Sequence, residues 1–132
     1  MRKKHMAFGF SSVFMLIISS PSLAHHSFAA EFDINRPIKL EGVVTRMEWS
    51  NPHSWVHLEI TLDNGEKQQW MIEGGAPNAL LRRGWSRDSL PVGTFIEIEG
   101  FQARDRSNKA NGRTVILPNG SRLFVGSGDA SQ

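Results

Sequence analysis

From Trp55 the chain alternates with a period of two: Val56, Leu58, Ile60 and Leu62 fall on one side, and Trp55, His57, Glu59 and Thr61 on the other. That pattern specifies a strand with one dry face and one wet face. Asp63-Asn64-Gly65 supplies hairpin turn chemistry, and Lys67 to Glu73 returns as an antiparallel partner. An isolated hairpin is marginal in water, so these strands must belong to a larger sheet. The flanking sequence provides one. Ile38 to about Trp49 reads as a first strand, in which Gly42 marks a bulge or sharp coil; Thr94 to Phe101 reads as a fourth and Arg113 to Leu117 as a fifth. Pro118-Asn119-Gly120 turns the chain into a short last strand at Arg122 to Val125. Between the third and fourth strands, Gly74-Gly75-Ala76-Pro77 leads into a short helix, with Pro77 suited to its first turn and Gly84 to its end. The polar stretch from Arg104 to Gly112 is expected to be a mobile loop. The predicted fold is mainly β: a small five- to six-stranded OB-like barrel over residues 38–126, with one short helix between strands 3 and 4. A simple meander with a helical plug would give the same string of elements.

The first 24 residues have the order of a secretory signal peptide. Arg2, Lys3 and Lys4 precede an apolar run from Met6 to Ile18, and Pro21 and Ser22-Leu23-Ala24 follow it. The run is shorter than the roughly 20 residues a spanning helix needs, so cleavage after Ala24 is expected, with no membrane anchor remaining. A cut after Ala29, with Ser27 at the minus-three position, also satisfies the small-residue rule, but it lies well beyond the apolar core and would delete His25 and His26. No cysteine follows the apolar run and no twin-arginine pair precedes it, and a periplasmic or secreted location is expected. Residues 25–37 form an N-terminal segment ahead of the barrel, and residues 127–132 a disordered tail.

Cleavage removes three of the 15 Lys and Arg and none of the 13 Asp and Glu, so the mature chain has 12 basic against 13 acidic residues and a formal charge of −1. A near-neutral domain lacks the electrostatic footprint of a general nucleic-acid binder. The absence of cysteine excludes disulfides, thiolate zinc sites and thiol nucleophiles. Any metal must therefore be held by nitrogen or oxygen. Only Met47 and Met71 follow the leader, which argues against a methionine-rich Cu(I) carrier.

His25-His26-Ser27-Phe28, Glu48-Trp49-Ser50-Asn51-Pro52-His53, the segment Gly75 to Trp85 and Val92-Gly93 resemble a family of small exported bacterial proteins classed as a domain of unknown function. The resemblance covers nearly the whole mature chain. The architecture is similar, more distantly, to the periplasmic bacterial OB-fold proteins. Location and fold are what the resemblance implies; it carries no activity.

Cleavage after Ala24 would leave His25 as the first residue. A terminal histidine chelates through its α-amine and Nδ1, and one further imidazole completes a T-shaped nitrogen set, an arrangement resembling the histidine brace of copper proteins. Copper(II) favours such tetragonal nitrogen sites. His26, His53 and His57 are the remaining histidines of the mature chain, and His53 or His57 is the expected third ligand. Those two lie four apart, about 13 Å between alpha carbons along an extended strand, so they share one site only if the chain bends at Pro52. Each also has a plain structural role open to it: a frayed terminus for His25 and His26, a turn for His53, a half-buried strand position for His57.

The competing reading is a binding module for a sugar, a wall fragment or another exported protein, with Trp55 as stacking surface and Glu59 beside it. Trp49 and Trp70 read as core, and Trp85 as a plug with Leu80 and Leu81. Arg82, Arg83 and Arg87 read as a solvated basic face. An enzyme is the weakest reading. Glu48, Glu59, Glu73, Glu97 and Glu99 have no acid/base spacing, Ser89 has no local partner, and no Gly-x-Ser-x-Gly elbow or phosphate-cradling glycine loop occurs.

Overall fold

A computed structural model describes residues 28–127. The leader, His25, His26 and the tail beyond Ser127 lie outside the described residues. The strands are β1 (Phe32–Glu48), β2 (Trp55–Thr61), β3 (Lys67–Glu73), β4 (Phe95–Ala103), β5 (Lys109–Ile116) and β6 (Arg122–Phe124), and the helix α1 (Pro77–Arg82) lies between β3 and β4. The strand order is β3-β2-β1-β4-β5-β6, and an additional parallel pairing of β3 with β5 closes the sheet into a ring. The expected mainly β fold, with its helix between strands 3 and 4, is the one observed. No described helix is long and apolar enough to cross a membrane.

Ring closure depends on residues that the sequence disguised. β5 begins at Lys109, four residues before the expected strand, so the loop expected to run to Gly112 ends at Asn108. Lys109-Ala110-Asn111-Gly112 lacks the β-branched and aromatic residues that announce a strand, yet Met71, Ile72 and Glu73 pair in parallel with Lys109, Ala110 and Asn111. Tertiary pairing overrides local propensity here. β1 is also longer than expected, starting at Phe32. Its first half pairs with β4 and its second half with β2, and Val43 is shared between them.

Of the bulge or sharp coil expected at Gly42, the bulge falls instead at Thr45, where the β1–β2 register shifts between Val44 and Arg46. At Gly42 a Cβ would overlap the Glu59 carbonyl oxygen, so glycine there permits the close approach of β1 to β2 that a sharp coil requires. The bulge has a consequence for the outer surface. Val44 points into the core and Met47 packs against it, so one extra residue between them turns Arg46 and Glu48 outward.

The interior holds Val44, Val56, Leu58, Ile72, Ile96, Ile98 and Val115, each at most 1% exposed. β2 alternates as the sequence requires, with Val56, Leu58 and Ile60 buried and Trp55, His57 and Glu59 half-buried on the other face. Gly65, at φ +83°, takes the left-handed turn conformation between β2 and β3. From α1, Leu80 joins the buried core together with Trp85, whose indole N–H donates to the Phe124 carbonyl at 2.9 Å. Leu81, expected to pack with them, is 50% exposed.

Candidate functional site

The hairpin register places Trp55 opposite Glu73, His57 opposite Met71 and Glu59 opposite Gln69. Directly opposed residues share a face, so Glu48, Trp55, Glu73, Asn111 and Phe101 form one row across neighbouring strands. The segment entering β2 is stitched onto the exit of β3: Ser54 N–H donates to the Gly75 carbonyl at 3.0 Å, and Gly74 N–H donates to the Ser54 carbonyl at 2.7 Å. The Ser50 hydroxyl donates to the His53 carbonyl at 2.9 Å, and the Asn51-Pro52 peptide is cis. These contacts set the His53 ring against the end of β3.

His53 Nδ1 lies 3.1 Å from Glu73 Oε1 and 3.3 Å from the Gly74 carbonyl oxygen. Both partners are acceptors, so the arrangement calls for a proton on Nδ1. In the neutral ring the lone pair then sits on Nε2. Glu73 is 8% exposed. Burial pushes its carboxyl above the ordinary value; the Glu31 carboxylate adds to the rise, while His53 and Lys109 oppose it.

A second imidazole–carboxylate pair stands on the same outer surface. His57 Nε2 lies 3.1 Å from Glu48 Oε2, and the same oxygen accepts from the Arg46 guanidinium. The Arg46 hydrogen bond first, then that of His57, holds the Glu48 carboxyl below its usual range. Glu59 is engaged by Lys67 at 2.8 Å and by the Gln69 amide at 2.8 Å, with Lys67 the main cause of its lowered pKa. Trp55 lies between the two pairs, and the Lys109 ammonium stands 5.2 Å from its ring centroid.

The structure thus separates the two histidines that the sequence offered as alternatives. His53 and His57 bind different carboxylates, and among the described residues no three His, Asp or Glu side chains converge as a metal-holding group. Trp55 and Glu59 both face outward on β2, but each already has a charged neighbour from the chain itself. Sequence reasoning missed the pairing of Glu73 with His53 and of Glu48 with His57. It also missed Lys109 and Glu31.

Residues 28–31 form a helical turn packed beside this surface. The Phe28 ring lies 5.8 Å from that of Phe32 and 6.0 Å, edge-on, from that of Phe101. Lys109 Nζ donates to Glu31 Oε2 at 2.9 Å, and Arg104 Nε donates to the Ala29 carbonyl at 2.7 Å. Phe101 and Glu73 are separated in their row by Asn111, two strand spacings or about 10 Å. The turn is therefore anchored close to the His53–Glu73 pair.

No curated protein and no solved structure matches the chain. A family model does match, over residues 13–113, a span that takes in β1 to β4, α1 and both imidazole–carboxylate pairs. The chain belongs to the Family of unknown function (DUF6152).

Proposed function

We propose that the protein is exported, cleaved after Ala24 and binds copper in the periplasm through nitrogen ligands. In this reading His25 supplies its α-amine and Nδ1, and His53 supplies Nε2 as third ligand. The observation that carries it is the His53–Glu73 pair. Metal-ligating imidazoles characteristically donate their other ring N–H to a carboxylate or carbonyl, which fixes the tautomer and raises the basicity of the ligating nitrogen. His53 meets both kinds of acceptor with Nδ1, and its side chain is 34% exposed. His57 has committed Nε2 to Glu48, leaving only the nitrogen nearer its backbone. The His25 alpha carbon is joined to that of Phe28 by three residues of chain, at most about 11 Å.

The alternative is an OB-like module binding a sugar, a wall fragment or an exported protein on Trp55 and Glu59. It is less well supported, because Lys109 stands over the Trp55 ring and Glu59 is held by Lys67 and Gln69. Neither reading assigns a turnover.

Titration of Cu(II) against a weak competing chelator tests the proposal. Protein beginning at His25 should bind one ion more tightly than protein carrying one added residue ahead of His25, which loses the free α-amine from the chelate. His53→Ala should weaken binding and His57→Ala should not. Equal affinities for the native and extended proteins would overturn the reading.

A further inference from the structure

We propose that the groove on the outer face of β1, β4 and β5 is a binding site for a sugar acid, a pyranose ring bearing a carboxylate. The groove has a volume of about 400 Å³, and Pro37, Lys39, Glu99, Gly100, Phe101 and Arg113 line it. Small-molecule sites span roughly 300–1,000 Å³. The groove shares no lining residue with the His53–Glu73 and His57–Glu48 pairs, so the assignment is independent of the copper reading.

Arg113 reaches the groove from a second bulge. The β4–β5 register pairs Glu99 with Thr114 and Gly100 with Gly112, which leaves Arg113 without a partner on β4. A bulged residue is re-aimed relative to the regular alternation of a strand. Its main chain is nonetheless fixed, because the Arg113 carbonyl accepts from the Val125 N–H at 2.9 Å. The strands approach closely here: a Cβ at Gly100 would overlap the Asn111 carbonyl oxygen, and one at Gly112 would press on Ile72 and Val125. Arg113 is exposed, and its guanidinium has no carboxylate or hydrogen-bond partner among the described residues. The other two charges of the groove are already matched, Lys39 by Glu97 at 2.8 Å and Glu99 by Arg122 at 3.1 Å. One uncompensated positive charge remains, on a planar fork that fits a carboxylate.

The rest of the lining selects the body of the ligand. Pro37 and Phe101 are cross-strand partners that form an apolar platform, and the Phe28 ring braces Phe101 with its centroid 6.0 Å away. The electron-rich face of an aromatic ring attracts the C–H groups of a pyranose. Phe101 pairs with Asn111, so its alpha carbon lies one strand spacing across and two residues along from that of Arg113, about 8 Å. A ring on the platform therefore brings its carboxylate to the guanidinium. Glu99 decides against a plain aromatic acid. Arg122 engages its Oε2, and Oε1 is left to accept from a donor, which a sugar hydroxyl supplies. Lys39 gives Glu97 one N–H and has others to donate to a hydroxyl.

The test titrates metal-free mature protein with glucuronate, glucose and benzoate and follows backbone amide shifts by NMR. Because no metal is present, the copper reading plays no part in the result. Glucuronate should give saturable shifts at residues 38–39, 99–101 and 113–114. Glucose, which lacks the carboxylate, should bind at least about tenfold more weakly, the loss expected for one charged hydrogen bond. Benzoate, which lacks the hydroxyls, should also bind more weakly than glucuronate. Arg113→Met keeps an apolar stem and should bring glucuronate down to the level of glucose. Arg87→Met, which removes an exposed cation beside Trp49, should leave glucuronate binding unchanged. Saturable glucuronate binding that survives Arg113→Met, or that falls equally in both methionine variants, would overturn the assignment. So would benzoate binding as tightly as glucuronate, or the absence of saturable shifts in the groove.

Discussion

Leu58 and His57 are neighbours in β2 whose side chains leave the strand in opposite directions, which gives a sharp contrast between them. Leu58 is 0% exposed, and its cross-strand partners are Val44 and Trp70. Leu58→Ala removes three buried carbons, a transfer loss of about 2.4 kcal/mol at roughly 0.8 kcal/mol each. The cavity left in a closed ring adds to this and places the cost within the range of about 2–5 kcal/mol. His57 is different. Its side chain is 20% exposed, and its polar contact is with Glu48, whose carboxylate remains engaged by Arg46 when the imidazole is gone. His57→Ala should cost less than about 1 kcal/mol, as expected for a partly exposed polar contact. Urea unfolding followed by far-ultraviolet circular dichroism measures both. Leu58→Ala should shift the midpoint strongly at unchanged slope, and His57→Ala should hardly move it. Comparable large losses for the two variants would refute the assignment of β2's outer face and place His57 in the core.

Three further outcomes are expected. Glu73 has a folded-state pKa above its unfolded value, so the stability it contributes is complete below the unfolded pKa and is lost as pH rises through the folded one. Glu73→Gln should therefore be at least as stable as the parent at neutral pH, by up to the order of 1 kcal/mol, and flatter in its pH dependence by calorimetry. Arg46→Ala should raise the Glu48 pKa in a carboxyl NMR titration more than His57→Ala does, because the Arg46 hydrogen bond is the larger cause of its depression. Gly42→Ala should destabilise by about 1–3 kcal/mol in thermal unfolding, since the new methyl would meet the backbone of Glu59 rather than a yielding side chain.

Much of the fold was legible wherever a strand is wet on one side. The alternation of β2, the Asp63-Asn64-Gly65 turn and the Pro77-to-Gly84 helix frame follow from period and turn chemistry. β5 was only half legible. Its first half is recruited by pairing with β3, and nothing in Lys109-Ala110-Asn111-Gly112 signals that partner locally. Glycine is the usual marker of a bulge, whereas here an ordinary threonine carries it and Gly42 serves the close strand approach. For the site, the contact between His53 and Glu73 is a consequence of hairpin register. Counting nine residues either way from Asn64 reaches Trp55 and Glu73, which the register pairs, and so places a carboxylate beside the approach to β2. That signal was present in the turn. The contact of Lys109 with Glu31, by contrast, joins residues 78 apart and needs the closed ring to exist at all.

Closure also sets the order in which the chain can acquire its shape. The β2–β3 hairpin is local, whereas the β1–β4 pairs are 52 to 71 positions apart and the β3–β5 pairs 38 apart. Loop entropy must be spent before those distant contacts return anything, so folding belongs to the slow, milliseconds-to-seconds regime of non-local β topologies. Until β5 arrives, the outer edge of β3 has unpaired N–H and C=O groups, a template for a second chain as well as for its own. Glu73 sits at that edge. Pulse-labelled amide exchange should show the amides of Met71 and Glu73 gaining protection after the rest of the hairpin.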